Sequence, residues 1–90
     1  MCIHLKIKVT GKVQGVWFRK YTKDKAVEMG IKGFVQNKPD GSVYVEAEAE
    51  EQTIRNFLKW LETGSPLSDV DEVIPMAQTK CLGFKSFEIR

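Results

Sequence analysis

The chain begins with a strict alternation of apolar and polar residues, which is typical of a β-strand with one buried face. The apolar members of this alternation are Ile3, Leu5, Ile7 and Val9. Gly11 ends the pattern. From Phe18 onwards the apolar spacing becomes that of an α-helix, and Gly30 stands where a left-handed C-terminal cap is expected. The first third of the chain is therefore predicted to form a strand, a glycine-containing loop and a helix.

Two β-favouring runs follow this helix. They occupy residues 31–36 and 42–48. Residues 37–41 between them read NKPDG, and asparagine, proline, aspartate and glycine preset or tolerate turn dihedrals. The two runs are therefore predicted to pair as a hairpin.

The strongest helical stripe of the chain comes next. Apolar residues recur at i, i+3, i+4 and i+7 from Ile54, which predicts a helix over residues 51–63. Residues 70–77 contain Pro75 and are predicted to form an edge strand, and residues 84–89 form a short last run. This order predicts an α+β, ferredoxin-like fold, a split βαβ sandwich with an antiparallel sheet and both helices on one face. We expect residues 1–90 to be one domain.

Charge is distributed unevenly along the chain. The net charge is +2, but residues 1–45 carry nine Lys and Arg against three Asp and Glu, whereas residues 46–90 carry five against nine. A basic first half suits an anionic ligand, and it is equally consistent with scattered surface lysines. No apolar stretch approaches the roughly 18 residues of a membrane span, and the amino terminus lacks a signal-peptide apolar block. We therefore expect a soluble, cytoplasmic protein without a membrane partner.

The loop between the first strand and the first helix is a candidate anion site. Residues 11–19 read GKVQGVWFR. Backbone N–H groups and a helix N-terminus converge in such a loop, and the planar guanidinium of Arg19 matches phosphate oxygens. Any strand-to-helix turn can contain glycine and a basic residue, so a plain structural turn remains open. Asn37 is equally ambiguous, since an asparagine before a Pro-Asp-Gly turn often bonds its own backbone.

Two separate segments resemble the paired signatures of the acylphosphatase family. The first is GKVQGVWFR at residues 11–19, and the second is GFVQN at residues 33–37, followed by DGSV at residues 40–43. The resemblance covers nearly the whole chain. It implies hydrolysis of acyl phosphates, the mixed anhydrides of a carboxylate and phosphate, by in-line attack of water. It also implies that no metal or cofactor takes part.

The resemblance implies roles for individual residues as well. Arg19 is expected to bind the phosphate and Asn37 to orient the attacking water, while the Ser42 hydroxyl holds the Asn37 amide. The phosphate-binding residues that it implies are Gln14, Gly15, Val16, Trp17, Phe18 and Arg19. Phe34 stands where tryptophan is usual in the family, and Ser42 stands where threonine is frequent. Neither change removes a required group, and both bear on substrate preference.

Two other functional classes fit the predicted fold. RNA-recognition modules share it, and residues 32–35 (KGFV) resemble part of their aromatic motif, but no second aromatic follows and the second half of the chain is acidic. A non-catalytic regulatory domain that binds a small anion would keep the same loop, and turnover of acetyl phosphate separates it from an enzyme. We expect a monomeric acylphosphatase that binds acyl phosphate and inorganic phosphate but no nucleic acid.

His4 and the two cysteines lie outside the predicted site. His4 belongs to the polar phase of the first strand, so we expect it at the surface, and no cluster with zinc-binding spacing surrounds it. In the split βαβ topology the fourth strand runs beside the first, which brings Cys2 near Cys81. Reduced thiols are expected for an intracellular protein, with a disulfide as the alternative.

Overall fold

The structure, a computed structural model, describes all 90 residues, Met1–Arg90. Its elements follow the predicted order. They are β1 (Cys2–Lys12), α1 (Phe18–Glu28), β2 (Lys32–Asn37), β3 (Val43–Glu50), α2 (Glu51–Thr63), β4 (Asp69–Lys80) and β5 (Phe87–Ile89). The helix over residues 51–63 has the predicted bounds. The first strand runs past its predicted end, because Gly11 and Lys12 still pair with β4 beyond a bulge.

The strands form one sheet in the order β4-β1-β3-β2-β5. The four longer strands are antiparallel neighbours, as predicted, whereas β5 runs parallel to β2 and makes the whole sheet mixed. The strand that contains Pro75 is at the edge, and Pro75 pairs with Ile7 next to a bulge. The predicted ferredoxin-like fold is therefore confirmed, with a parallel fifth strand added to it.

The core lies between one face of the sheet and the two helices. The apolar residues of the β1 alternation are all buried in it, together with Val43, Val45 and Ala47 of β3. The helices contribute Phe18 and Ala26 from α1, and Ile54, Phe57 and Leu61 from α2. Replacing one fully buried member such as Phe57 by alanine typically costs about 3–5 kcal/mol. Neither helix has the length and apolar character needed to cross a membrane.

Part of the opposite face of the sheet is covered by a segment that connects its two edges. This crossing segment, residues 81–86, leads from β4 at one edge to β5 at the other. Its Phe84 ring stacks on the ring of His4, with the centroids 5.7 Å apart. The carboxylate of Glu48 accepts hydrogen bonds from the backbone N–H groups of residues 82–84. The sheet is therefore packed on this face around His4 and Glu48 as well as on the helical face.

His4 is buried, so the prediction that it lies at the surface is wrong. Its Nδ1 lies 2.7 Å from Glu48 Oε2, and its Nε2 lies 2.7 Å from Glu46 Oε1. Burial alone would raise the pKa of Glu48, but the hydrogen bonds from the crossing segment and from His4 outweigh it and hold that pKa below its ordinary value. His4, from the polar phase of β1, is thus part of a polar network with Glu46 and Glu48.

Cys2 and Cys81 form a disulfide, with their Cα atoms 5.9 Å apart. The prediction that the topology makes these residues neighbours is confirmed. The expectation of reduced thiols is wrong for this structure, which has no free cysteine. The bond joins the start of β1 to the crossing segment.

Candidate active site

The loop between β1 and α1 presents a series of unpaired backbone donors. The consecutive N–H groups from Gln14 to Lys20 donate no hydrogen bond to another backbone group. The helix α1 begins at Phe18 without a side-chain cap and without an acidic residue in its first turn. Free N–H groups and the positive end of the helix dipole therefore lie along one cavity, an arrangement that binds anions.

Two residues of this loop have a left-handed backbone. They are Gly15, with φ 72°, and Trp17, with φ 62° and ψ 17°. Glycine adopts this conformation easily, whereas for other residues it costs roughly 1–2 kcal/mol. Left-handed residues between right-handed ones turn successive N–H groups toward the same point, as in anion-binding backbone nests. The buried side chains of Val16 and Phe18 anchor the loop in the core on either side of Trp17.

Arg19 lies in the first turn of α1 and is half-buried. It lines a cavity of about 590 Å³ together with Gly15, Trp17 and Phe18. Its guanidinium forms no ion pair with any carboxylate of the protein. A partly desolvated guanidinium without a partner is well suited to bind two oxygens of a phosphate.

Asn37 is the last residue of β2 and lines the same cavity as Arg19. Its side-chain oxygen Oδ1 is buried and accepts no hydrogen bond from the protein. Leaving a buried acceptor unsatisfied costs about 1–3 kcal/mol, so this atom calls for a functional explanation. An acceptor of this kind can bind and orient a water molecule. The structure thus brings together the two residues that the sequence assigned to catalysis.

Gln14 connects the loop between β1 and α1, residues 13–17 and hereafter the phosphate loop after its proposed ligand, to the turn of the β2–β3 hairpin. Its Nε2 donates to the carbonyl oxygen of Lys38 at 2.7 Å and to that of Ser42 at 2.8 Å. The side-chain amide nitrogen therefore already donates to two carbonyl oxygens of the turn. Only the backbone N–H of Gln14 remains free to bind a phosphate. Sequence patterns gave no signal of this link, because it joins residues 24 and 28 positions apart.

Ser42 contacts a different partner from the one predicted. Its hydroxyl donates to Oδ1 of Asp40 at 2.5 Å, so the predicted hydrogen bond to Asn37 is not present. Asp40 is a charged acceptor, and it also accepts from the Ser42 backbone N–H and pairs with Lys8. These contacts, the hydroxyl of Ser42 first, lower the pKa of Asp40 to about 2. In this structure Ser42 shapes the turn that follows Asn37.

The rest of the cavity is largely cationic. Lys20 and Lys23 line it beside Arg19, and Asp24 pairs with Lys20 at 3.1 Å. This surplus of positive charge favours an anionic ligand. Ile89 of β5 also lines the cavity, and the sequence gave no indication of it, because the parallel pairing of β5 with β2 has no local pattern. No group of three or more His, Cys, Asp or Glu side chains is arranged to hold a metal ion.

Comparison with known proteins identifies the family. The acylphosphatase family model matches residues 5–89. An acylphosphatase of Archaeoglobus fulgidus is 45% identical over 87 residues, which is 97% of each chain. The crystal structure of acylphosphatase from Bacillus subtilis is similar with a TM-score of 0.92 at 33% identity, covering 100% of this chain and 99% of that one. An acylphosphatase from Coxiella burnetii gives 0.88 at 35% identity, with coverage of 99% and 90%. The chain that carries this site therefore belongs to the acylphosphatase family.

Proposed function

We propose that this chain hydrolyses acyl phosphates to a carboxylate and inorganic phosphate, with Arg19 binding the phosphoryl group and Asn37 orienting the attacking water. The activity itself follows from membership of the acylphosphatase family. The observation that supports these two roles is that Arg19 and Asn37 line one cavity. It brings together an unpaired guanidinium, free backbone donors and an amide oxygen without a hydrogen-bond partner.

The phosphoryl group is held by the backbone and by Arg19 together. The N–H groups from Gln14 to Lys20 and the guanidinium offer donors to the non-bridging phosphate oxygens. Phosphoryl transfer spreads negative charge over these oxygens in the transition state, so fixed donors around them stabilise that state. Donors that are already in place do not need to reorganise during the reaction, which is the source of their effect.

Asn37 acts on the water. Its Oδ1 accepts a hydrogen bond from the water molecule, which directs the water oxygen at phosphorus, but an amide does not remove a proton near neutral pH. The water oxygen forms a bond to phosphorus, the bond from phosphorus to the acyl oxygen breaks, and its electron pair leaves with the carboxylate. The water proton passes to a phosphate oxygen of the substrate. The leaving carboxylate has a conjugate acid with a pKa of about 4–5, so it departs without protonation.

The same observations support a small-molecule substrate over an RNA ligand. RNA-recognition domains stack bases on aromatic residues of an open sheet face. In this protein the crossing segment covers the part of that face around His4 and Phe34, and Phe34 is buried against Phe84 and beneath the Arg90 guanidinium, 4.3 Å from its ring centroid. We propose that residues 1–90 act as one monomeric domain.

The proposed cytoplasmic location can be tested through the disulfide. Disulfides are rare in the reducing cytosol of mesophiles, although they are common inside hyperthermophiles. Comparing the masses of peptides that contain Cys2 and Cys81, trapped directly in intact cells, with and without reduction shows which state the protein has there. A fully reduced pair would support a reducing compartment.

Steady-state hydrolysis of acetyl phosphate by the purified protein tests the proposed function. We expect turnover that persists after exhaustive chelation, because the carboxylate leaves without Lewis-acid assistance. Glycerol phosphate should be a poor substrate, since an alkoxide leaves far less readily and no general acid is identified. Binding of inorganic phosphate without any turnover of acetyl phosphate would indicate a non-catalytic anion-binding domain. Activity lost with chelator and restored by a divalent metal would contradict the mechanism.

A further inference from the structure

A buried serine from a distant part of the chain contacts the phosphate loop. Ser65 lies between α2 and β4 and is only 2% exposed. Its hydroxyl donates a hydrogen bond of 3.0 Å to the carbonyl oxygen of Val16, 49 positions earlier in the sequence. That carbonyl accepts no backbone hydrogen bond, and the first bond of α1 runs one residue later, from the Tyr21 N–H to the Trp17 carbonyl. Ser65 is therefore the hydrogen-bond partner of the Val16 carbonyl.

The Val16 carbonyl and the Trp17 N–H belong to the same peptide group. This peptide is trans, so its carbonyl and its N–H point in opposite directions. Trp17 lines the cavity of Arg19, whereas Ser65 does not. A carbonyl that points at buried Ser65 therefore directs the Trp17 N–H away from the core and toward the cavity. This N–H donates to no backbone group, so it is free to bind an anion there.

The observed orientation of this peptide strains the backbone of Trp17. Trp17 has φ 62° and is the one non-glycine residue of the protein with a positive φ. Rotating the Val16–Trp17 peptide by about half a turn would bring Trp17 to a negative φ, in the region that ordinary residues prefer. The same rotation would turn the N–H away from the cavity and break the hydrogen bond from Ser65. Ser65 therefore opposes a rotation that the strain at Trp17 favours.

Ser65 is itself fixed by the turn in which it lies. Its carbonyl oxygen accepts hydrogen bonds from the Ser68 N–H at 3.0 Å and from the Ser68 hydroxyl at 2.7 Å. The preceding residue, Gly64, has φ 70°, and a Cβ atom there would clash with the Ser68 hydroxyl and crowd the ring of Phe18. Glycine thus lets the turn pack closely against the start of α1, which gives Ser65 a constant position relative to the phosphate loop.

We infer, on the basis of the proposed function, that Ser65 is a positioning residue for acyl phosphate hydrolysis, which keeps the Trp17 N–H directed at the phosphoryl group without touching the substrate. A hydrogen bond accepted by a peptide carbonyl also polarises the N–H of the same peptide and makes it a stronger donor. Ser65 thus acts on one phosphate contact through both orientation and polarisation. Since negative charge spreads over the non-bridging oxygens in the transition state, loss of this donor lowers kcat as well as phosphate affinity.

Replacing Ser65 by alanine tests this role, with Ser65→Thr as the variant that keeps the hydroxyl and Ser68→Ala as the matched control in the same turn. In folded Ser65→Ala protein, kcat for acetyl phosphate should fall about a hundredfold and the inhibition constant of inorganic phosphate should rise about tenfold. Ser65→Thr should recover most of both losses. Ser68→Ala should stay near the wild-type values, because the Ser68 N–H still holds the Ser65 carbonyl. Equal losses in Ser65→Ala and Ser68→Ala would overturn the inference, since they would reflect the stability of the turn.

The strain at Trp17 provides a test that a merely structural role of Ser65 would not pass. Glycine adopts a positive φ without strain, so in Trp17→Gly protein the peptide is no longer biased toward rotation. Adding Ser65→Ala to Trp17→Gly protein should therefore weaken phosphate binding by less than about threefold, against about tenfold when Trp17 is present. The same loss in both backgrounds would contradict the positioning role.

The amide proton of Trp17 gives a readout that does not depend on turnover. Saturation with inorganic phosphate should move its NMR signal downfield in wild-type protein, because the N–H gains a hydrogen bond to an anion, and should not do so in Ser65→Ala protein. An unmoved Trp17 signal in wild-type protein would overturn the inference even if Ser65→Ala does not fold. A shifted signal without any turnover of acetyl phosphate would contradict the proposed function instead and would support the positioning of the N–H.

Discussion

Gln14 donates a hydrogen bond of 2.7 Å to the carbonyl oxygen of Lys38, the residue that directly follows Asn37. The same amide nitrogen donates to Ser42 at the other end of the turn. One side chain of the phosphate loop therefore holds the turn next to Asn37, the residue proposed to orient water. We therefore expect this link to help fix Asn37 relative to Arg19.

Replacing Gln14 by alanine should lower kcat for acetyl phosphate by roughly tenfold. Each lost hydrogen bond is worth about 1 kcal/mol, and small displacements of a positioned group slow the reaction. Inhibition by inorganic phosphate should change much less, because the backbone donors remain. Steady-state kinetics measure both, with Gln52→Ala as the control, since Gln52 is exposed and bonds only Asn56. Weak phosphate inhibition with normal kcat would show that the Gln14 side chain binds phosphate instead.

Replacing Ser42 by alanine should raise the pKa of Asp40 from about 2 toward its ordinary value of 3.8. The hydroxyl is the largest cause of the lowered pKa, and the variant removes it. Since the folded-state pKa is depressed, ionised Asp40 stabilises the protein above pH 3.8, and this contribution is lost as pH falls through about 2. NMR titration of the Asp40 carboxyl carbon measures the change, with Ser86→Ala as the control. An unchanged pKa together with a lower kcat would mean that the hydroxyl acts on Asn37.

Replacing Glu48 by glutamine should destabilise the protein at pH 7 by about 3 kcal/mol, because it leaves buried His4 and the crossing segment without their anionic partner. The pKa of Glu48 is held below 4.5, so its contribution is complete above pH 4.5 and is lost as pH falls through the lower folded-state pKa. The difference between wild-type protein and variant should therefore shrink in acid. Urea unfolding at several pH values measures it, and the exposed Glu62→Gln is the control. A difference that is constant with pH would contradict the assigned charge.

Replacing Arg19 by alanine should abolish turnover and weaken inhibition by inorganic phosphate, while the fold survives. A charge-assisted contact in a partly desolvated site is typically worth about 3 kcal/mol or more. Arg55→Ala is the matched control, because Arg55 is exposed and pairs only with Glu51. Circular dichroism establishes folding of both variants. Near-normal turnover by folded Arg19→Ala protein would remove the phosphate-binding role.

Sequence patterns predicted the elements whose position depends on residues close together in the chain. The stripe from Ile54 gave the bounds of α2, and the turn residues after Asn37 gave the hairpin. The predicted surface position of His4 is wrong because an alternating strand predicts one solvated face, whereas His4 is buried. The crossing segment that buries it comes from the far end of the chain, and nothing near His4 in the sequence indicates it.

The same difference between nearby and distant residues in the sequence applies to the candidate site. Arg19 and Asn37 stood out through motifs, and the fold brings them to one cavity. The contacts that support them join distant positions, such as Gln14 to the hairpin turn, and the left-handed backbone of Trp17 has no signature in residue type. Hydrogen bonds between separate loops depend on how the elements pack, which periodicity does not encode.

The division of roles between Arg19 and Asn37 is tested most directly by the steady-state kinetics of folded Asn37→Ala protein on acetyl phosphate, with inorganic phosphate as a competitor. A residue that orients water without holding phosphate affects chemistry more than affinity. We expect kcat to fall by about a hundredfold or more while the inhibition constant of phosphate stays near the wild-type value. The exposed Asn56→Ala should change neither quantity. Loss of phosphate inhibition together with turnover would show that Asn37 supports the phosphate loop, and would contradict its assignment to the water.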